Sequence, residues 1–280
     1  DGLHQLVEVK EGVTITPARA TIGQITYQRF FRRYRRLSGM TGTAQAASLE
    51  FLGIYGLRVF KIPTHLRDQR AFAPRRIFKT LEQKLNYIGA RTQELHQSGL
   101  PVLIGSRTVQ NSAEISARLT ALNIEHDVLN ATQDADEAEV VAMAGQPGSV
   151  LVATSIAGRG TDIKLNRETA ERGGLHVIAA ELFDIARVDA QLHGRCGRQG
   201  DKGRVEVVLS LQDDLLASKA NPLLHMLAGL FLASGWKGGT FLMMKAQQTL
   251  AQIRYGRARR KLLEKDKKLG ETFAFTGNIE

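Results

Sequence analysis

The middle of this 280-residue chain alternates short apolar segments with amphipathic ones, and this rhythm constrains the fold more than any other feature. The short segments are rich in β-branched residues and apolar along almost their whole length; they occupy residues 101–105, 126–129, 150–153, 175–179 and 204–209. Strands of this kind are typical of a parallel sheet that is buried on both faces. The sequence therefore predicts an α/β domain with helices covering both sides of a parallel sheet.

The helices of this domain are predicted from apolar residues at helical spacing. Ile115, Leu119 and Leu122 share one face of a helix, and a longer helix is expected over about residues 76–96. A further strand is expected at residues 57–62, before Pro63.

The flanking segments do not follow the alternating pattern. Before residue 45, Phe30, Tyr34 and Leu37 fall on one face of a predicted amphipathic helix. After residue 212 the pattern is helical to about residue 269. A sparse apolar stripe in this tail predicts a helix lying along a surface; its residues are Leu242, Ala246, Leu250 and Ile253.

Composition excludes several classes of protein. A hydrophobic fraction of 43% and a charged fraction of 24% are ordinary globular values, which argue against disordered and collagen-like chains. The single cysteine, Cys196, excludes an intrachain disulfide framework and indicates a reducing, cytosolic environment. No histidine or cysteine spacing predicts a metal site. The longest apolar run, 223–233, is too short to cross a bilayer; a buried helix or hairpin is favoured over an interfacial membrane helix.

The net charge of +10 is concentrated in two segments, residues 29–36 and residues 237–270. Such segments suit an anionic partner, which could be a nucleic acid, an acidic lipid surface or an acidic protein face. A solvated helix face is the alternative, and the charge pattern leaves both open.

Two polar runs follow predicted strands, where ligands bind in open parallel sheets. The first, ATSIAGRGTDI at 153–163, contains Gly158 and Gly160, which let the backbone turn tightly around a ligand, and the charged residues Arg159 and Asp162. The second, QLHGRCGRQGD at 191–201, has the pattern Gln-x-x-Gly-Arg-x-x-Arg.

In the second run Gln191 opens the pattern, and Arg195 and Arg198 are three residues apart. Two guanidinium groups on one side of a helical turn can clamp the charge of a phosphoryl group during transfer. Each run alone is weak evidence, but the two in this order are typical of the second RecA-like domain of helicase-type motors.

The chain resembles SecA, the ATPase motor of bacterial protein export. The runs that carry the resemblance are DGLHQLVEVKEG (1–12), LSGMTGTA (37–44), PVLIGS (101–106), HDVLNA (126–131), EAEVVAMAGQPG (137–148), ATSIAGRGTDI (153–163), GGLHVI (173–178) and QLHGRCGRQGD (191–201). They occur in the family's order over about residues 1–212, and the resemblance fades beyond them.

The resemblance implies a RecA-like fold and a division of labour. In SecA, ATP with Mg²⁺ lies between two RecA-like domains: the first supplies the phosphate loop and metal carboxylates, and the second supplies arginine fingers. Because this sequence has no Gly-x-x-x-x-Gly-Lys-Ser/Thr, it looks like the C-terminal portion of such a protein, with Mg²⁺ ligands in a missing first domain.

By the same resemblance, residues 1–45 are the end of the first nucleotide-binding domain with Thr41, Gly42 and Thr43 as its linking motif. Residues 46–212 are the second RecA-like domain, and 213–280 begin a scaffold-like helix. Asp162 contacts the nucleotide, together with the Gly158 and Gly160 backbone; Arg159 couples that loop to it, and Arg195 and Arg198 are the fingers. Gln191 supports the finger loop.

The partners implied are the missing nucleotide-binding domain, a preprotein and a SecYEG-like export channel, at the inner face of the bacterial cell membrane. Anionic phospholipid and a second copy of the chain are further candidates, whereas nucleic acid is disfavoured. A nucleic-acid-stimulated helicase half and a non-catalytic interaction module are the alternatives.

Two departures from the family pattern stand out. His193 occupies a position where the family usually has arginine, and the segment 181–187 is unusually apolar. Core packing is favoured for that segment over a new partner surface.

Overall fold

A computed structural model of the chain describes residues 2–16, 25–129, 137–154, 161–217 and 221–274. The chain divides into two compact units. The larger comprises Met40–Leu49 and Arg58–Arg257, and the smaller comprises Asp1–Gly39, Glu50–Leu57 and Ala258–Glu280.

The strands described in the larger unit form one seven-stranded sheet. They are β1 (Gln69–Phe72), β2 (Arg76–Phe78), β3 (Val102–Ser106), β4 (Asp127–Leu129), β5 (Val150–Thr154), β6 (Leu175–Ala179) and β7 (Lys202–Ser210). Their order is β1-β7-β6-β3-β5-β4, and β2 pairs with β7 beyond the end of β1. Every described pairing is parallel, which confirms the predicted sheet.

The sheet is covered on both faces, because successive residues of one strand enter two separate cores. Val102 and Ile104 pack with the helices Leu81–Gln97 and Val109–Ala121, whereas Leu103, between them, packs in the opposite core. The main helices of this unit are α4 (Leu81–Gln97), α5 (Val109–Ala121), α6 (Glu137–Met143), α7 (Arg167–Arg172), α8 (Ala186–His193), α9 (Asp214–Ala217), α10 (Pro222–Ala233) and the part of α11 (Lys237–Ala274) up to Arg257.

Two predictions in the segment before β3 are wrong. Residues 57–62 form no strand. The helix expected from residue 76 begins at Leu81, because Arg76–Phe78 pairs with β7 as a strand. The Thr80 side chain then accepts a hydrogen bond from the Gln83 amide and caps the helix.

The smaller unit contains α1 (Gly2–Lys10), α2 (Tyr27–Phe31), most of α3 (Ser48–Tyr55) and the end of α11 (Lys237–Ala274). The predicted amphipathic helix ends at Phe31 and therefore does not include Tyr34. No residue of α2 is buried, so tertiary packing does not extend this short helix. Ion pairing in this unit joins Arg259 to Glu50, with Nε 2.7 Å from Oε1.

The apolar stripe predicted for the tail is on the wrong face. Leu242, Leu250 and Ile253 are 59%, 39% and 44% exposed. The buried side chains of α11 are instead Thr240, Met244, Gln247, Gln248, Ala251 and Asp266. Two buried glutamines are satisfied by hydrogen bonds, a docking mode that a search for apolar periodicity does not detect.

The two remaining apolar segments, 181–187 and 223–233, differ in how much of them is buried. Leu182 and Phe183 are buried, which confirms core packing for the segment 181–187. The apolar run 223–233 is helical, but it buries Ala228 and exposes Leu223, Met226 and Leu230. None of the described helices has both the length and the apolar character needed to cross a membrane.

Candidate functional site

A cleft of about 680 Å³ opens in the larger unit at the carboxyl ends of β4 and β5. Its floor is apolar and includes Leu129, Leu151 and Ala153. Its polar lining includes residues of both polar runs and of the predicted linking motif; these residues are Thr41, Thr43, Asp162, Gln191, Arg195 and Arg198. The parallel topology therefore brings together residues that are up to 157 positions apart.

The arginine segment is placed by α8, which ends at His193, two residues before Arg195. Leu192 of α8 lies directly against β3, where a Cβ added to Gly105 would come within 2.3 Å of the Leu192 side chain. After the helix, Gly197 adopts a φ of +65°, which a residue with a side chain rarely tolerates. These two glycines let α8 approach the sheet and let the chain turn between the two arginines.

Both arginines contact the end of the 153–163 run. Arg195 donates from Nη1 to the Thr161 carbonyl at 2.9 Å. Arg198 forms an ion pair with Asp162 and donates from Nε to the Gly194 carbonyl at 2.8 Å. The side chains of Arg198 and Asp162 remain 36% and 42% exposed, so an anion in the cleft can reach them.

The linking segment also lies in this cleft. The Thr41 and Thr43 hydroxyls are 3.3 Å apart, and the Thr43 amide donates to the Thr41 hydroxyl. Gly158, Arg159 and Gly160 fall outside the described residues, so their predicted roles remain predictions.

Arg70 is a cleft residue that the sequence prediction missed. It lies on β1, in a segment for which neither a strand nor a helix is predicted, and donates from Nε to the Cys196 carbonyl at 3.1 Å. This carbonyl lies between the two arginines, so Arg70 adds a third guanidinium to the site. The basic character of the 67–76 segment was the only available signal.

His193, just before the two arginines, and Cys196, between them, carry no charge near neutral pH. Burial, reinforced by Lys245 and Arg70, lowers the pKa of His193 to about 4. Burial also raises the pKa of the Cys196 thiol to about 11. The thiol is therefore protonated and unsuited to nucleophilic chemistry.

The donor set of the cleft fits phosphate oxygens, since guanidinium groups and hydroxyls outnumber carboxylates there. Across the described ranges, no three His, Cys, Asp or Glu side chains gather where they could hold a metal ion. The residues here that could hold the phosphates of a nucleotide are Arg195, Arg198 and Thr43.

Comparison with known proteins identifies the family. The model of the SecA P-loop domain matches residues 68–172 and 166–231, and the model of the SecA DEAD-like domain matches residues 2–52. The first match covers the sheet from β1 to β7, and together with the observed topology it confirms the predicted RecA-like α/β fold.

Curated relatives agree with these matches. Protein translocase subunit SecA 2 of Bordetella avium is 42% identical over 279 residues, covering 99% of this chain and 42% of the relative. Its counterpart in Nitrosospira multiformis is 44% identical over 283 residues, with the same 42% of the relative covered. Protein translocase subunit SecA of Desulfovibrio desulfuricans is 48% identical over 216 residues, or 77% of this chain and 25% of the relative. The chain thus spans less than half the length of these relatives.

Among solved structures, the Escherichia coli DEAD-box protein SrmB bound to RraA matches at a TM-score of 0.41 and 21% identity, covering 57% of this chain and 86% of that one. Domain 2 of the DEAD-box helicase Mss116p bound to an RNA duplex matches at a TM-score of 0.38 and 16% identity, covering 54% and 56%. The family assignment rests on the sequence: one SecA model matches more than half of the residues, and the chain belongs to the SecA family of protein translocase subunits.

Proposed function

We propose that this chain supplies the second RecA-like nucleotide-binding domain of an ATPase that moves proteins across the membrane. The carrying observation is that Arg195, Arg198 and Asp162 line one cleft with the linking residues Thr41 and Thr43. In the proposed arrangement residues 1–45 complete the first nucleotide-binding domain, 46–212 form the second, and 213–280 begin the scaffold helix. The match of residues 2–52 to the SecA DEAD-like domain supports this division.

In this proposal Arg195 and Arg198 act as arginine fingers. Their guanidinium groups are already oriented by Thr161, Gly194 and Asp162, so little reorganisation is needed when charge develops on a phosphoryl group. Asp162 contacts both the nucleotide and Arg198, and Gln191 supports the loop that carries the two arginines. ATP with Mg²⁺ supplies the transferable phosphoryl group, and the metal ligands belong to the first domain.

The partners of the complete protein follow from the family. We propose a preprotein substrate and a SecYEG-like channel, with the motor at the inner face of the membrane; anionic phospholipid and a second copy are further proposed contacts. ATPase stimulation tests this function against the helicase alternative. Stimulation of the full-length protein by vesicles that contain the channel supports the proposal, whereas stimulation by RNA alone contradicts it.

The 280-residue chain is expected not to hydrolyse ATP by itself. It contains no Gly-x-x-x-x-Gly-Lys-Ser/Thr, so nothing in the sequence holds the β- and γ-phosphates in line for transfer. Phosphate release should equal that of an Arg195→Ala, Arg198→Ala double variant purified in parallel. Turnover that exceeds this control would show that the second domain has its own phosphate site.

The α11 helix is expected to bind anionic vesicles in a salt-dependent manner. Its exposed cations in the described residues are Lys237, Arg254, Arg257, Arg260, Lys261, Lys265, Lys267 and Lys268, against the exposed carboxylate Glu264. Each contributes at most about 1 kcal/mol near an acidic bilayer, and salt screens the attraction. Co-sedimentation should fall steeply between low and physiological salt. Equal binding to neutral vesicles would refute this expectation.

A further inference from the structure

The helix α8, which leads into the arginine segment, packs on the sheet on one side and on α11 on the other. Leu192 packs on β3, as described above. Asp189, one turn earlier on α8, is only 5% exposed and faces α11 instead. A buried carboxylate needs several donors to remain ionised, so its partners fix where α8 can lie.

Gln248 of α11 is the central partner of Asp189. Its Nε2 donates to the Asp189 carboxylate at 2.7 Å and to the Phe183 carbonyl at 2.6 Å. Its Oε1 accepts from Lys245 Nζ at 2.7 Å, and that ammonium group lies 3.6 Å from Asp189. Gln248 is itself 2% exposed, so no water competes freely for these bonds.

The Phe183 backbone closes the network. Its amide donates to the other Asp189 oxygen at 2.9 Å, while its carbonyl accepts from Gln248. One amide side chain of α11 therefore bonds both to α8 and to the segment that leads into α8. Loss of this side chain leaves two buried acceptors with fewer donors and frees the first turn of the helix.

We propose that Gln248 is a positioning residue that holds α8, and through it Arg195 and Arg198, in place. Gln248 lies outside the cleft lining and acts through Asp189 and Phe183. The link between this position and ATP turnover rests on the proposed function, whereas the link to the position of the 195–198 segment does not.

Cys196 provides a direct probe of that segment. It is the only cysteine in the chain, it lies between the two arginines, and it is 2% exposed. A thiol reagent reaches it only when the segment opens, so the labelling rate under native conditions measures how firmly the segment is held.

The matched variants are Gln248→Met and Gln247→Met. Both glutamines are 2% exposed and adjacent on α11, but Gln247 donates to the Asn221 carbonyl and has no described bond to α8. We expect Gln248→Met to speed Cys196 labelling about tenfold, which corresponds to about 1.4 kcal/mol, because two buried acceptors lose a donor. Gln247→Met should change the labelling rate less than about twofold. The urea unfolding midpoints of both variants are used to correct the Cys196 labelling rates for any loss of global stability.

Unchanged labelling in Gln248→Met, or equal acceleration in both variants after that correction, would overturn the proposal. In a full-length SecA-type protein carrying this chain, Gln248→Met should lower kcat and leave KM for ATP within about twofold. If Cys196 labelling is faster in Gln248→Met than in Gln247→Met but kcat is unchanged, the positioning role of Gln248 is upheld and the finger role of Arg195 and Arg198 is contradicted.

Discussion

Replacement of Arg195 or Arg198 by alanine in a full-length SecA-type protein carrying this chain is expected to lower kcat by about 10³–10⁵-fold. This corresponds to about 4–7 kcal/mol of lost transition-state stabilisation. Because finger arginines act on charge that develops in the transition state, the KM for ATP should change far less. Steady-state kinetics with saturating ATP measure both quantities.

Two controls distinguish a finger role from general damage. Lysine at either position should not restore turnover, since a single ammonium group cannot reproduce a planar fork that bonds to two acceptors. His193→Ala should change kcat much less, because the lowered pKa of His193 leaves it neutral at pH 7 and its ring packs on Phe72. Near-normal turnover in both arginine variants, with loss in His193→Ala, would contradict the assigned roles.

The second large effect concerns stability. Lys84 and Asp213 form an ion pair in which the two side chains are 3% and 4% exposed. Lys84 also donates to the Ala180 carbonyl at 3.0 Å, and Asp213 accepts from the Ser210 amide at 2.9 Å. Lys84→Met removes one partner and leaves a buried carboxylate, which should cost about 3–5 kcal/mol.

The pH dependence of this loss has a definite sign. Burial raises the pKa of Asp213 to about 6, against the opposing effect of Lys84. Without Lys84 the pKa of Asp213 in the folded state rises further. Between about pH 6 and this higher pKa the wild-type carboxyl is already ionised, so its contribution to stability no longer changes, whereas the variant continues to lose stability as the pH rises. The deficit should therefore grow as the pH rises above about 6, and be smaller at pH 5 than at pH 8.

Urea unfolding of the 280-residue chain at these two pH values measures the deficit. The double variant Lys84→Met, Asp213→Leu should recover much of the stability, because it removes the orphaned charge together with its partner. Lys61→Met, at an exposed lysine, is the matched control and should shift stability by less than about 0.5 kcal/mol. A pH-independent deficit would show that Asp213 is not the group responsible.

Much of the sheet could be predicted because its strands are apolar on both faces. Segments such as Val150–Thr154 and Leu175–Ala179 have a composition that favours few other structures. The two short edge strands β1 and β2 were missed for the converse reason. They are four and three residues long, each contains an arginine, and β1 is largely exposed, so only pairing with β7 identifies them as strands.

Some residues of the candidate site could likewise be identified from the sequence, and one could not. The pattern of Gln191, Arg195 and Arg198 and the position of Asp162 are local in sequence, so they could be identified without coordinates. Arg70 could not, because its contact with Cys196 spans 126 residues and depends on the register of an unrecognised strand.

The sequence by itself therefore determined the α/β class, the family and most of the charged residues that line the candidate site, since these follow from local composition and short spacings. Only the tertiary structure decided which face of α11 is buried. Apolar periodicity pointed to Leu242 and Leu250, but the helix docks through Gln247 and Gln248. The physical reason is that a buried amide is favourable only where donors and acceptors from distant segments meet it, and no local pattern records where those segments lie.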